Sequence, residues 1–211
     1  MYKNIIFSII ITFVVPMFFS ACDNISKNKN IVPLSIEFGK FIDPRDNNTY
    51  KTVKINKQTW FAENLNFATD SSWFYNNDSI KYGIYKRFYT FEQAKKACPS
   101  GWHIPTESEW LILINTLGGK NSAGGKLKSE IKWENPNIGA TNSSGFSALP
   151  SGYYDIKMGT FFLERINTSF WVAPNKDSIE VKYFSLYNDD STAIINKPYK
   201  EYGLSVRCLK D

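Results

Sequence analysis

Histidine is nearly missing from this chain: His103 is the single one in 211 residues. A zinc site takes three or four ligands at workable spacing, and one imidazole beside scattered carboxylates does not supply them. Cysteine is scarce as well, with only Cys22, Cys98 and Cys208. Charge of one sign never accumulates. The formal net charge is +5, but Lys54, Lys57, Lys81, Lys86, Arg87, Lys95, Lys96, Lys126 and Lys128 are spread out and form no block. Without a basic stripe or a recognition motif, nucleic acid is not an expected partner. No apolar run reaches the roughly 20 residues of a membrane-spanning helix. No internal repeat at a period of about 20–50 residues is visible, which argues against a solenoid. No phosphate-cradling loop occurs. GGKNSAGGK (118–126) has glycines and lysines in the wrong spacing and follows a helix instead of a strand.

What is present suits a folded domain. Hydrophobic residues make up 43% and charged residues 21%, an ordinary globular balance. Six Trp, twelve Tyr and sixteen Phe supply a sizeable core and favour strands over helices.

The chain opens MYKNIIFSIIITFVVPMFFSAC: a lysine, an apolar run from Ile5 to Phe19, then the small residues Ser20 and Ala21. That layout is a secretory signal over 1–21. Phe-Ser-Ala-Cys (19–22) resembles a bacterial lipobox, whose cysteine is lipidated and becomes the new N-terminus; Phe19 stands where leucine is usual. Ordinary signal cleavage with Cys22 left over is the alternative. Parity favours lipidation. An odd thiol in an exported protein needs an explanation, and removing Cys22 leaves Cys98 and Cys208 to pair where disulfides persist. Residues 22–33, CDNISKNKNIVP, are polar and read as a flexible tether. The folded domain is therefore expected over 34–211.

Strands are expected at 34–42, 50–55 and 58–65, the last two as a hairpin turning at Asn56-Lys57. A polar loop covers 66–81, and 82–89 reads as extended. Two helices follow. Thr90 with Gln93 opens one over 91–97, ended by Pro99 and Gly101. Thr106 with Glu109 forms a capping box for the second. Its apolar stripe Trp110, Leu113, Ile114 and Leu117 stops at Gly118-Gly119. Asn121 to Gly125 reads as a turn. Short strands are expected at 145–154, 159–164, 168–174, 178–187 and 203–209. Helices in the middle and strands at both ends predict an α+β fold.

Several blocks occur in a recognisable order: YKTVKINKQTWFAENLNF, FEQAKKACPSGWHIPTESEWLIL, GGKLKS, GFSALPSGYY, FW and GLSVRC. Together they resemble the bacterial family called the Fibrobacter succinogenes major paralogous domain, over about residues 50–211. That family is similar in turn to formylglycine-generating enzymes and C-type lectin domains. HIPTESEW looks like the Arg-Leu-Pro-Thr-x-x-Glu-Trp helix start of those enzymes, and GLSVRC like their terminal Gly-Phe-Arg-Cys strand. The resemblance implies a C-type-lectin-like fold with two helices, several short antiparallel strands and one disulfide. That disulfide would join Cys98, at a helix end, to Cys208 on the last strand. A shared fold does not carry function across.

CPSGWHIPTESEW (98–110) gathers Cys98, His103, Glu107 and Glu109. It reads as scaffold: a paired Cys98 has no thiolate for His103 to activate, and Glu109 is claimed by capping. Formylglycine-generating chemistry needs reactive cysteines late in the chain, where only Cys208 stands. WENPN (133–137) and YNDD (187–190) faintly echo the Glu-Pro-Asn loop and Trp-Asn-Asp strand of calcium-dependent lectins. Asn135 interrupts Glu134, Pro136 and Asn137, and both stretches read as polar turns. Asp43, Asp46, Asn47 and Asn48 lack the glycine and distant glutamate of a calcium loop and read as a solvated turn. Trp60, Trp102, Trp110, Trp133 and Trp171 read as core. Trp73-Phe74-Tyr75 reads either as an exposed stacking surface or as part of the core. The expectation is a non-catalytic lipoprotein of the bacterial envelope, on the outer membrane, with no metal and no cofactor. Its expected partners are the membrane, through the lipid on Cys22, and a polysaccharide or another surface protein. A carboxylate-based hydrolase and a purely structural envelope component are the alternatives.

Overall fold

A computed structural model describes residues 33–175, 180–197 and 201–211. The chain divides into Met1–Val32 and a compact unit Pro33–Asp211. The expected signal, Cys22 and the expected tether up to Val32 lie outside the described residues.

The strands are β1 (Ile36–Ile42), β2 (Thr49–Ile55), β3 (Gln58–Phe61), β4 (Ser72–Trp73), β5 (Phe88–Tyr89), β6 (Trp102–His103), β7 (Tyr153–Asp155), β8 (Thr160–Phe162), β9 (Asn167–Val172), β10 (Lys182–Tyr187), β11 (Ile194–Asn196), β12 (Tyr202–Gly203) and β13 (Leu209–Lys210). The helices are α1 (Ser79–Tyr82), α2 (Phe91–Ala97), α3 (Glu107–Thr116) and α4 (Lys120–Leu127). The fold is mixed α+β with antiparallel strand pairs, and the described residues carry four α-helices where the sequence suggested two.

The two extra helices have local causes. Residues 82–89 are not extended throughout. Asp78 caps α1 by accepting the N–H groups of Ile80 and Lys81 at 3.0 and 2.9 Å. A 3-10 turn at Gly83–Tyr85 follows before the chain extends into β5. The stretch Asn121 to Gly125 is helical, as part of α4. Two interior glycines lower intrinsic helix preference, but here no other residue fits. A Cβ on Gly124 would run into the Thr192 carbonyl oxygen, and one on Gly125 into that of Gly139. The expected caps form. Thr106 Oγ1 accepts the Glu109 N–H at 3.4 Å, and Glu109 Oε2 accepts the Thr106 N–H at 2.7 Å.

The main sheet runs β1-β2-β3-β13-β6. Asn56, with φ 52°, makes the turn that registers Val53 opposite Trp60. β13 enters as an interior strand, with Leu209 opposite Trp60 on one side and His103 on the other. Cys98 and Cys208 form a disulfide with Cα atoms 5.8 Å apart, tying the end of α2 to the approach of this strand. Successive residues of a strand face opposite sides, and each side has its own core. Trp60 and Leu209 join Trp110, Phe146, Phe170 and Phe184. Phe61 and Cys208 join Tyr50, Trp102, Trp171 and Val206. On the first side α3 lays Trp110 flat on Phe184, ring centres 4.2 Å apart. All five tryptophans expected in the core are buried there. The Trp73-Phe74-Tyr75 stretch folds back: Tyr75 is buried against Phe161, and Trp73 packs on Tyr154.

Candidate functional site

In the 98–110 segment, Cys98, His103, Thr106, Glu107 and Glu109 are all engaged in internal contacts. Cys98 is in the disulfide. His103 lies between two carboxylates, Nδ1 at 2.6 Å from Asp211 Oδ1 and Nε2 at 3.0 Å from Glu109 Oε1. Glu109 also takes the N–H and hydroxyl of Thr106 in its capping role. Glu107 pairs with Lys182 at 2.8 Å. The arrangement pins the start of α3 to the chain's closing residues. Among the described residues, no group of three His, Cys, Asp or Glu side chains is placed to hold a metal ion.

The turn after β1 is closed on itself in the same way. Asp43, fully buried, holds Arg45 at 2.6 Å. Burial alone raises its carboxyl, but the hydrogen bonds and charge of Arg45 outweigh it and the pKa falls below the ordinary value. Asp46 accepts the backbone and side-chain N–H groups of Asn48.

WENPN and YNDD, distant in sequence, meet in the fold. Asn188 Nδ2 donates to the Glu134 carbonyl at 3.2 Å, and the Ile138 N–H donates to the Asn188 carbonyl at 2.7 Å. Between them lies the buried Lys128, whose Nζ donates to the carbonyls of Ile138, Tyr187 and Asp190 at 2.9, 2.8 and 2.8 Å. Burial pushes this ammonium down to about 8, opposed by Asp190 and Asp189. Asp190 itself is held low by the Thr192 hydroxyl and N–H. The region therefore carries a covalently attached cation in a cage of oxygens.

Two concavities stand out among the described residues. The smaller, about 130 Å³, is lined by Tyr153, Tyr183, Tyr187 and Tyr202 over Asn167 and Ser169. Strand alternation builds it. On β10, Tyr183, Ser185 and Tyr187 share one face while Phe184 and Leu186 enter the core. β9 lies alongside, with Tyr187 opposite Asn167 and Ser185 opposite Ser169. Tyr153 and Tyr202 come from β7 and β12, ring centres 4.8 Å apart. On the floor, Ser169 Oγ donates to Asn167 Oδ1 at 3.0 Å, and Asn167 Nδ2 donates to the Leu186 carbonyl at 3.0 Å. The larger cleft, about 450 Å³, includes Lys51, Glu63, Lys86 and Glu130, with Arg207 among its lining residues. Among the described residues, no aromatic side chain lines it.

A family model, the Fibrobacter succinogenes major domain, matches residues 53–210. The chain belongs to this family. No curated protein and no solved structure matches the chain. The Fibrobacter succinogenes major domain thus runs here from the middle of β2 to β13. It contains both concavities except for Lys51. Its GLSVRC block does two jobs: Cys208 makes the disulfide, and Arg207 reaches the carbonyls of Phe61, Phe146 and Ser147. Sequence reasoning missed the tyrosine groove. KYFSLY carried half of the signal, because its alternation separates tyrosines from core residues. Tyr153 and Tyr202 are brought beside it by pairings that no local pattern encodes.

Proposed function

We propose that this Fibrobacter succinogenes major domain is a non-catalytic binding module of the bacterial cell envelope, lipid-anchored to the outer membrane through Cys22, with polysaccharide as its ligand. One observation carries the reading: four tyrosines surround a small groove with an amide and a hydroxyl at its base. Phenol rings offer an apolar face and a polar edge to the same ligand, which suits a sugar ring. The finer fold reading, C-type-lectin-like, draws support from the disulfide between a helix end and the last strand.

A glycoside hydrolase needs two carboxyl groups flanking the scissile bond. Glu63 and Glu130 line the larger cleft. However, Glu63 holds the Lys51 N–H at 3.0 Å and Glu130 is exposed, so neither has the enclosed apolar setting a general acid uses. The binding reading is tested by displaying the full chain to a glycan array with and without a calcium chelator, beside Tyr187→Ala. The expected result is glycan binding that survives the chelator and is lost in the variant. An array on which no glycan is retained sinks the polysaccharide reading.

A further inference from the structure

Arg207 is a buried cation with no carboxylate bonded to it among the described residues. The residue is 1% exposed. Nε donates to Asn64 Oδ1 at 2.7 Å, Nη1 to the carbonyls of Phe61 and Phe146 at 3.0 and 2.6 Å, and Nη2 to that of Ser147 at 3.0 Å. Phe146 and Phe170 cover the guanidinium, with ring centres 4.5 and 5.5 Å from its carbon. A guanidinium has five N–H donors. Four are placed, and the second hydrogen on Nη2 has no acceptor among the described residues. Every acceptor is electrically neutral, whereas buried charges are ordinarily paired. Burial draws the pKa down to about 9, opposed by Glu63, so the group is still charged at neutral pH.

The cleft is where compensation can come from. At about 450 Å³ it falls within the range of small-molecule sites. Arg207, Lys51 and Lys86 set three positive charges against Glu63 and Glu130, which leaves one positive charge over. A single negative charge balances that; a dianion would meet the two carboxylates. Ile84 and Ile131, 46% and 62% exposed, give the walls apolar surface for the body of a ligand. We infer that this cleft binds a small monocarboxylate, its anionic end toward Arg207 and between Lys51 and Lys86. The site shares no lining residue with the tyrosine groove and does not rest on the reading given to that groove.

The test is calorimetric titration of the full chain in detergent at low ionic strength. The probes are galacturonate and N-acetyl-dialanine, each beside its uncharged counterpart, galactose or the dialanine amide. At least one acid is expected to bind about tenfold or more tighter than its counterpart, and added salt should weaken it. Which acid binds separates a sugar carboxylate from a peptide one. Arg207→Met removes bonds to several segments and is expected to unfold the chain, so the rim lysines carry the mutational test. Lys51→Ala/Lys86→Ala should keep the unfolding temperature and lose about tenfold in affinity for the acid. Tyr187→Ala should leave that affinity unchanged. The inference is overturned if neither acid binds, if acid and neutral probe bind alike, if the double variant binds as tightly as the parent, or if Tyr187→Ala abolishes acid binding.

Discussion

A lysine with no water around it must find other oxygens, and Lys128 finds three carbonyls from two distant segments. The ammonium fills its donors there, yet burial pulls it from 10.5 to about 8. Between those values the unfolded chain binds the extra proton, so on this group's account stability rises with pH across that window. Tyr50 acts in the opposite sense at higher pH. Burial pushes its phenol from 10.0 up to about 12, so above 10 the unfolded chain loses its proton first and stability falls. Urea denaturation from pH 7 to 9 is expected to show stability climbing above about 8. Arg207, drawn down to about 9, adds its own rise beyond that pH, so Lys128→Met should be less stable throughout and lack only the part of the climb that begins near 8. Nothing near Lys128 in GGKLKS marks it as different from a surface lysine, because its partners are backbone carbonyls, which every residue has. Arg207 is hidden for a related reason. Alternation in 203–209 sets Ser205 and Arg207 on the face away from Val206 and Cys208, and only the fold shows that residues 146 and 147 cover that face.

Elements were legible wherever their cause was local. The α3 capping box, the Asn56 turn and the Trp110 stripe each rest on residues within one or two turns of chain. Thr106→Ala should cost about 1 kcal/mol in denaturant unfolding, the usual value of such a cap. Helix α4 was not legible, because its reason lies in Thr192 and Gly139, far from its own glycines. That reason is testable. Gly125→Ala raises helix preference by about 0.5–1 kcal/mol but forces a methyl against the Gly139 backbone. Overpacking typically costs about 1–3 kcal/mol, so net destabilisation is expected in urea titration. A stabilised variant would show that the two backbones part easily. Helix α1 was hidden by composition: the Asn, Ser and Asp residues that suggested a loop include Asp78, its cap.

At the scale of the molecule, the α+β class followed from the order of local patterns, while the strand order did not. Pairings such as Leu209 with both Trp60 and His103 bring together residues more than a hundred positions apart. The Cys98–Cys208 bond spans 110 residues. Closing so long a loop is worth up to about 4–5 kcal/mol by chain entropy, often less in practice. Cys98→Ala/Cys208→Ala is therefore expected to unfold at lower urea by an amount equivalent to about 2–5 kcal/mol. Reducing agent should affect the parent and leave the variant unchanged. Equal stability of parent and variant would remove the crosslink from the account of the fold.

The interior position of β13 also governs timing. Among the described residues, β13 is the strand that pairs with both β3 and β6. The five-stranded order therefore cannot be completed in a polypeptide still being made until synthesis reaches Leu209.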